Sequence, residues 1–209
     1  MIKMSTYVVR PGDTLTKIGR LLKIDWKSIA HLNDLSDPYP LLPGQILEIP
    51  DLSGSRSRNG EEEPAHDYSR TVHGGKTVNT RTAVMLRNAE ALVKTHFTLA
   101  QGSYNRGVAA SAGTHDGGGV IDISLGAWDN KQTTAIVQAL RRTGFAAWER
   151  TVAQGFSSRH IHACAIGDRE MMPVARHQVT AYFNYRDGLA RNREDTTPHP
   201  FPAWSEKYR

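Results

Sequence analysis

Apolar positions fall into two separate patterns along the chain. The first occupies residues 5–50. Tyr7-Val8-Val9 is a short β-rich run, stopped by Arg10-Pro11-Gly12-Asp13, where proline sets φ and glycine frees it. Leu15, Ile18, Leu21 and Leu22 recur at helical spacing behind Thr14, a candidate N-cap. Asp25 heads a second helical run with Trp26, Ile29, Ala30 and Leu32. The turn Leu42-Pro43-Gly44-Gln45 then leads into the strand Ile46-Leu47-Glu48-Ile49. The predicted order is strand, helix, helix, strand, with the two short strands paired antiparallel.

Residues 51–69 interrupt the pattern with Ser, Gly, Arg and three consecutive Glu, and almost nothing apolar, so they read as a flexible linker. From 70 to 187 the apolar pattern resumes. Asn79 can cap a helix running to about Lys94, with Val84, Met85, Ala89, Leu92 and Val93 facing a core. Strands are predicted at 97–101, 120–124, 145–150 and 160–166, the last two as an antiparallel pair. A helix starting at Asp129 or Asn130 turns Ala135, Ile136, Ala139 and Leu140 inward and ends at Gly144. His73-Gly74-Gly75-Lys76-Thr77 superficially matches the end of a phosphate-binding loop, but Arg70 stands where the first glycine belongs and no strand is predicted before it. Residues 188–209 are polar and proline-bearing and are expected as a surface or disordered tail. The fold class is α+β: a small β-α-α-β module, then a larger α+β domain with a central antiparallel sheet.

The first module closely resembles a LysM module. The match is carried by Tyr7-Val8-Val9, Pro11-Gly12-Asp13-Thr14-Leu15, Ile18, Leu32-Asn33 and the run from Leu42 to Pro50. The resemblance implies binding of N-acetylglucosamine-containing polymers such as peptidoglycan or chitin. It places the glycan between two loops, represented here by Gly12, Asp13, Thr14 and Leu15 on one side and Leu42, Pro43 and Gly44 on the other.

Candidate chemistry lies in the larger domain. The stretch Ser111-Ala-Gly-Thr-His-Asp-Gly-Gly-Gly-Val-Ile-Asp-Ile-Ser124 carries an imidazole at His115 and a carboxylate at Asp122, and His160-Ile161-His162 follows downstream. Two histidines and one carboxylate leave one position of a zinc tetrahedron open for water, as hydrolytic zinc requires. Strand alternation sets Val120, Asp122 and Ser124 on one face, and likewise His160, His162 and Cys164. Gly117, Gly118 and Gly119 allow a tight turn and a close substrate approach. Cys164 is expected as a small core residue.

His115 and Asp122, seven residues apart around Gly118, with His162 in a later His-x-His, resemble the M15-like zinc peptidases of the D-Ala-D-Ala carboxypeptidase, lysostaphin and hedgehog type. The resemblance implies zinc held by His115, Asp122 and His162, with His160 assisting catalysis. Glu149, on the neighbouring strand, is a second candidate for the base. Gly113 stands where that pattern has a serine, Arg159 where it has an acid, and Gln101 or Tyr104 occupies the region of an expected arginine.

Composition narrows the setting. Hydrophobic content of 39% and charged content of 22% are those of a globular domain with a buried core. A formal net charge of +5 suits an anionic wall polymer or a nucleic acid, and with no Lys/Arg stripe the charge alone does not choose between them; it is the LysM resemblance that disfavours nucleic acid. No apolar run is long enough to span a bilayer, and residues 1–10 lack a signal-peptide core. The expectation is a protein made in the cytoplasm without a signal peptide that acts at the bacterial cell wall. With the two resemblances, this implies a zinc-dependent peptidoglycan hydrolase cleaving an amide bond of the stem peptide or cross-bridge, as a phage endolysin or virion-associated lysin. The alternative is a non-catalytic wall-binding component of a phage tail or contractile injection device, partnered by proteins of that assembly.

Overall fold

The structure, a computed structural model, describes residues 5–22, 26, 29–30, 33, 35, 40–49 and 62–209. The expected features at Asp25, Leu32 and Pro50, and the linker through residue 61, lie outside these residues. The chain forms two compact units, residues 1–57 with 196–199, and residues 58–195 with 200–209. The fold is α+β.

In the first unit β1 (Ser5–Val8) pairs antiparallel with β2 (Ile46–Ile49), Ser5 opposite Ile49 and Val8 opposite Ile46. Helix α1 (Leu15–Leu22) starts where Thr14 Oγ1 accepts from Lys17 N at 3.2 Å. Leu15 and Ile18 on α1, the helical positions Ile29 and Ala30, and Leu47 and Ile49 on β2 bury one shared core. Leu21, expected on that face, is instead 65% exposed. A short helix has room for only a narrow apolar stripe, and Ile18 and Leu15 already fill it. Asn33 secures β2: its Oδ1 accepts from Glu48 N at 2.6 Å, and its Nδ2 donates to Glu48 O at 2.7 Å and Ile29 O at 2.8 Å.

The second unit begins with a hairpin of β3 (Arg70–His73) and β4 (Lys76–Asn79), closed by Gly74-Gly75. A strand therefore does precede the glycine pair, but the phosphate-loop reading still fails: Arg70 stands in place of the first glycine, and the turn returns into a strand and not into a helix. Helix α2 (Thr80–Val93) follows, then β5 (Leu99–Gln101), β6 (Val120–Ser124), α3 (Asn130–Arg142), β7 (Phe145–Arg150), β8 (His160–Ala165) and α4 (Pro173–Phe183). The last four strands form one antiparallel sheet in the order β5-β6-β8-β7. The β6-α3-β7 crossover thus leaves a gap, and the β7–β8 connection returns β8 into it, a split β-α-β arrangement.

Sheet alternation makes two cores. Ile121, Ile123, Phe145, Ala147, Ile161, Ala163 and Ala165 pack one face against α2 and α3. Val120, Ala146, Trp148 and Cys164 pack the other against Ala175, Val179, Tyr182 and Phe183 of α4. Each such large side chain contributes about 1.5–3 kcal/mol. On α3 the buried residues are Thr133, Ile136, Val137, Ala139, Leu140 and Arg141, while Ala135 faces out, one position off the expected stripe. Asp129 caps this helix in a capping box with Gln132.

Residues 200–209 do not form a disordered tail. Trp204 packs on the α2–α3 core, Phe201 and Tyr208 pack on the α4 core, and Glu63 accepts from Lys207 and Tyr208. Aromatic residues supply the burial that the polar composition hid.

Asn79 is the densest polar node. Its Oδ1 caps α2 by accepting from Thr82 N at 2.8 Å and its Nδ2 donates to Asp168 Oδ2 at 2.8 Å, both buried, and Nδ2 also donates to the half-buried Tyr104 Oη at 3.1 Å. Asn79→Ala removes the cap and leaves Asp168 short of a donor. The expected loss is about 2–3 kcal/mol, read by urea denaturation of the larger unit. A loss well under ~1 kcal/mol would show that the node is dispensable.

Candidate metal centre

The register of β6 against β8 decides what meets what. Asp122 lies opposite His162, Ser124 opposite His160, and Val120 opposite Cys164, all on the α4 side of the sheet. His115 arrives from the preceding loop, which backbone bonds from Asn105 N to His115 O (2.9 Å) and from Tyr104 N to Gly117 O (2.8 Å) hold in place. The glycine run below it has no room for side chains: a Cβ at Gly118 would meet Tyr104 Oη, and one at Gly119 (φ +77) would meet Asp168. These glycines therefore admit protein and not, as the sequence suggested, substrate.

His115, Asp122 and His162 offer ligand atoms that all lie within 4.8 Å of one another. His115 Nδ1 stands 2.9 Å from Gly102 O, an acceptor, and its Nε2 stands 3.3 Å from Asp122 Oδ2. His162 Nδ1 is 2.8 Å from Asp122 Oδ1, and its Nε2 is 2.8 Å from Gln178 Oε1. Cys164 Sγ donates to the same Gln178 oxygen at 3.3 Å. Four ring nitrogens thus face four acceptors, while two neutral imidazoles carry only two N–H groups. With both rings neutral, two of these contacts lack a proton. A divalent cation held by Asp122, His115 and His162 would stand in for both protons and would leave each histidine donating its other N–H to an oxygen, the usual arrangement of metal-bound histidine.

The electrostatics agree with this count. Burial pushes the Asp122 carboxyl up, but hydrogen bonds from His115 and His162 outweigh it and hold the group far below the usual carboxylate range. Burial of the His162 imidazole lowers its pKa, against the opposing pull of Asp122. Asp122 is thus ionised and His162 resists protonation. The group can hold a metal ion.

The other sequence candidates sort clearly. His160 lies beside the group, with Nε2 3.9 Å from Asp122 Oδ1, while Nδ1 is 2.9 Å from Ser158 O. Donation of Nδ1–H to that carbonyl leaves the Nε2 lone pair facing the centre. Glu149 pairs with Ile161 on the opposite face of the sheet and is bound by Arg159, which also donates to Trp128 O at 3.1 Å and Asn130 Oδ1 at 2.8 Å. Arg159 therefore ties β8 to the start of α3, and neither residue reaches the centre. Gly113 has φ +76, where a serine would be strained. The Tyr104 hydroxyl is committed to Glu170 and Asn79, whereas Gln101 lies opposite Asp122 and its buried Nε2 has no hydrogen-bond partner. Burial pushes the Cys164 thiol far up, which makes it an unreactive core group.

Gln178 was not legible in sequence. A glutamine within a helix carries no distinguishing signal, and α4 was itself not foreseen. Arg150, also unforeseen, faces the same side opposite His160; burial pushes its pKa down to about 10, and it donates to Asp187 O at 2.7 Å.

In the first unit, Asp13 Oδ2 accepts from Arg10 N and Tyr7 Oη, both at 2.8 Å, and closes the first loop. Val9 N donates to Gln45 O and Gly44 N to Val9 O, each at 2.8 Å, so the two expected glycan loops adjoin. Gly12, Thr14, Pro43 and Gly44 are exposed and Leu42 is 71% exposed, but Leu15 is only 4% exposed and belongs to the core. A family model described as LysM domain matches residues 7–50. Residues 7–50 are a LysM domain. The chain is 51% identical over 47 residues to outer membrane antigenic lipoprotein B of Haemophilus influenzae, covering 22% of this chain and 12% of that protein. It is 35% identical over 83 residues to the protein of the same name from Histophilus somni, covering 37% and 25%. It is 39% identical over 56 residues to murein hydrolase activator NlpD of Salmonella typhimurium, covering 27% and 15%. The chain therefore spans a quarter or less of these relatives. No solved structure matches it significantly. The C-terminal domain is unassigned. Among the described residues, no helix is long and apolar enough to cross a membrane.

Metal-free protein should lose stability in acid in two stages. His162 has a folded pKa below its ordinary ~6.5, so the unfolded chain takes the proton first and stability declines as pH falls below about 6.5. Asp122 is depressed from about 3.9; its contribution is complete above that value and is lost as pH falls toward the folded pKa. The Tm of the larger unit should drop between about pH 8 and about pH 5.5, and again toward about pH 3, with His162→Gln flattening the first drop. A wild-type Tm unchanged over the first interval would refute the burial of a neutral His162.

Proposed function

We propose that the protein is a zinc-dependent peptidase of peptidoglycan, held at its substrate by the LysM domain. The observation that carries this reading is the convergence of His115, Asp122 and His162, whose contacts are two protons short when both rings are neutral, with an additional imidazole base, His160, beside them. Two nitrogen donors and one carboxylate suit zinc, with a position left for water. When bound, zinc supplies a Lewis acid that polarises a carbonyl and lowers the pKa of a water toward about 7.

The chain's own residues supply the rest. His115 Nε2, Asp122 and His162 Nδ1 would hold the ion, and Gly102 O and Gln178 Oε1 fix both rings. His160 Nε2 accepts the proton of the attacking water and returns it to the leaving amine. The bond cleaved is an amide of the stem peptide or cross-bridge. The LysM domain keeps the active domain near many such bonds, since a tethered site acts at high effective concentration. The cell-wall setting agrees with the murein-related name of one relative, whose match is short. A phage endolysin or virion-associated lysin is the setting that best combines these parts.

Two experiments test the reading. Purified protein loaded with zinc should bind about one equivalent by mass spectrometry of metal content, and should release new amine-ended muropeptides from sacculi. His162→Ala should lose both. His160→Ala should keep the metal and lose about 10²–10⁴-fold in turnover. A wild type that takes up no metal and leaves muropeptides unchanged overturns the peptidase and leaves a wall-binding protein. For the LysM domain, Leu42→Ala should lower retention on purified peptidoglycan several-fold without changing retention on DNA, measured at about 0.15 M salt.

A further inference from the structure

Helix α4 reaches the centre through the side-chain amide of Gln178. We infer that Gln178 is a positioning residue that fixes the His162 ring so that Nδ1, and not Nε2, is presented to the metal. This rests on the metal-centre reading above. His162 lies on β8 with each nitrogen 2.8 Å from an oxygen, Asp122 Oδ1 at Nδ1 and Gln178 Oε1 at Nε2. The ring could in principle present either nitrogen, and a free imidazole metallates at both. An amide oxygen held against Nε2 requires a proton there, which leaves the Nδ1 lone pair for the ion.

The amide is itself held. Cys164, two residues along the same strand, donates its S–H to Gln178 Oε1 at 3.3 Å, so the oxygen receives two donors and the amide nitrogen is kept away from the ring. The helix carrying Gln178 is anchored against the same sheet face through Ala175, Val179, Tyr182 and Phe183. The helix packing thus determines where the amide oxygen stands, and the oxygen determines the tautomer. His115 has the same provision from a backbone carbonyl, Gly102 O at 2.9 Å, which no substitution can remove. Gln178 is therefore the point at which the centre's outer support can be altered by mutation.

The full-length protein tests this with Gln178→Met, which keeps the volume and removes the acceptor, and Gln178→Glu, which keeps the acceptor. Zinc affinity is read by chelator competition, and the ligand field by the visible spectrum of the cobalt-loaded protein. Gln178→Met should bind zinc about 10–100-fold more weakly and shift the cobalt spectrum, with Gln178→Glu restoring wild-type affinity or exceeding it. A packing role alone would not separate the two variants in this way. Zinc binding by Gln178→Met as tight as wild type, or by Gln178→Glu as weak as Gln178→Met, overturns the inference while leaving the metal centre standing. A wild type that takes up no zinc overturns both. Should Gln178→Met not fold, nitrogen-15 NMR of the zinc-loaded wild type decides: His162 should carry its proton on Nε2, and an unprotonated Nε2 overturns the assignment.

Discussion

One carboxylate in an interior strand organises the larger domain. Asp122 sits between Val120 and Ser124 on a face otherwise given to packing, and an ionised group there is costly unless it is fully paired. Its partners are two histidines whose outer nitrogens are already engaged by oxygens. The arrangement is complete in hydrogen-bond geometry and, with both rings neutral, short of two protons. That imbalance, more than the presence of any one residue type, distinguishes it from a structural Asp–His pair, where a single shared proton suffices.

The surrounding structure can be read as what this arrangement requires. His115 must reach Asp122 from a loop, so the loop passes tightly under Asn79, Tyr104, Asp168 and Glu170, where glycine alone fits. His162 must lie directly opposite Asp122, so β8 has to occupy the gap between β6 and β7. Glu149, one residue out of phase on β7, and Arg159, just before β8, pair on the helix side and clamp the sheet there. The same period-2 alternation therefore separates the chemistry from the scaffold within a six-residue strand.

Much of this was legible from residues alone. The caps at Asn79 and Asp129, the strands at Val120 and His160, and the His115, Asp122, His162 set all follow from local spacing and side-chain chemistry. What local spacing does not carry is partnership across the sheet. Glu149 is in the right strand and on the wrong face, which register alone decides. The hairpin at Arg70–Asn79 has few apolar residues, and the C-terminal aromatic residues are spaced by prolines, so neither produced a period to read. Gln178 illustrates the limit most plainly, because its meaning comes wholly from the atom it touches.

The placement of β8 has a consequence for when the centre can exist. The strand in the middle of the site face is the last of the sheet to be synthesised, and the helix that backs it comes later still. A chain that is still emerging from the ribosome, or that is threaded unfolded through a translocation channel, holds His115 and Asp122 with nothing opposite them. Such a chain has no metal site. Any chemistry the centre performs is therefore confined to the finished, folded molecule, wherever that folding takes place.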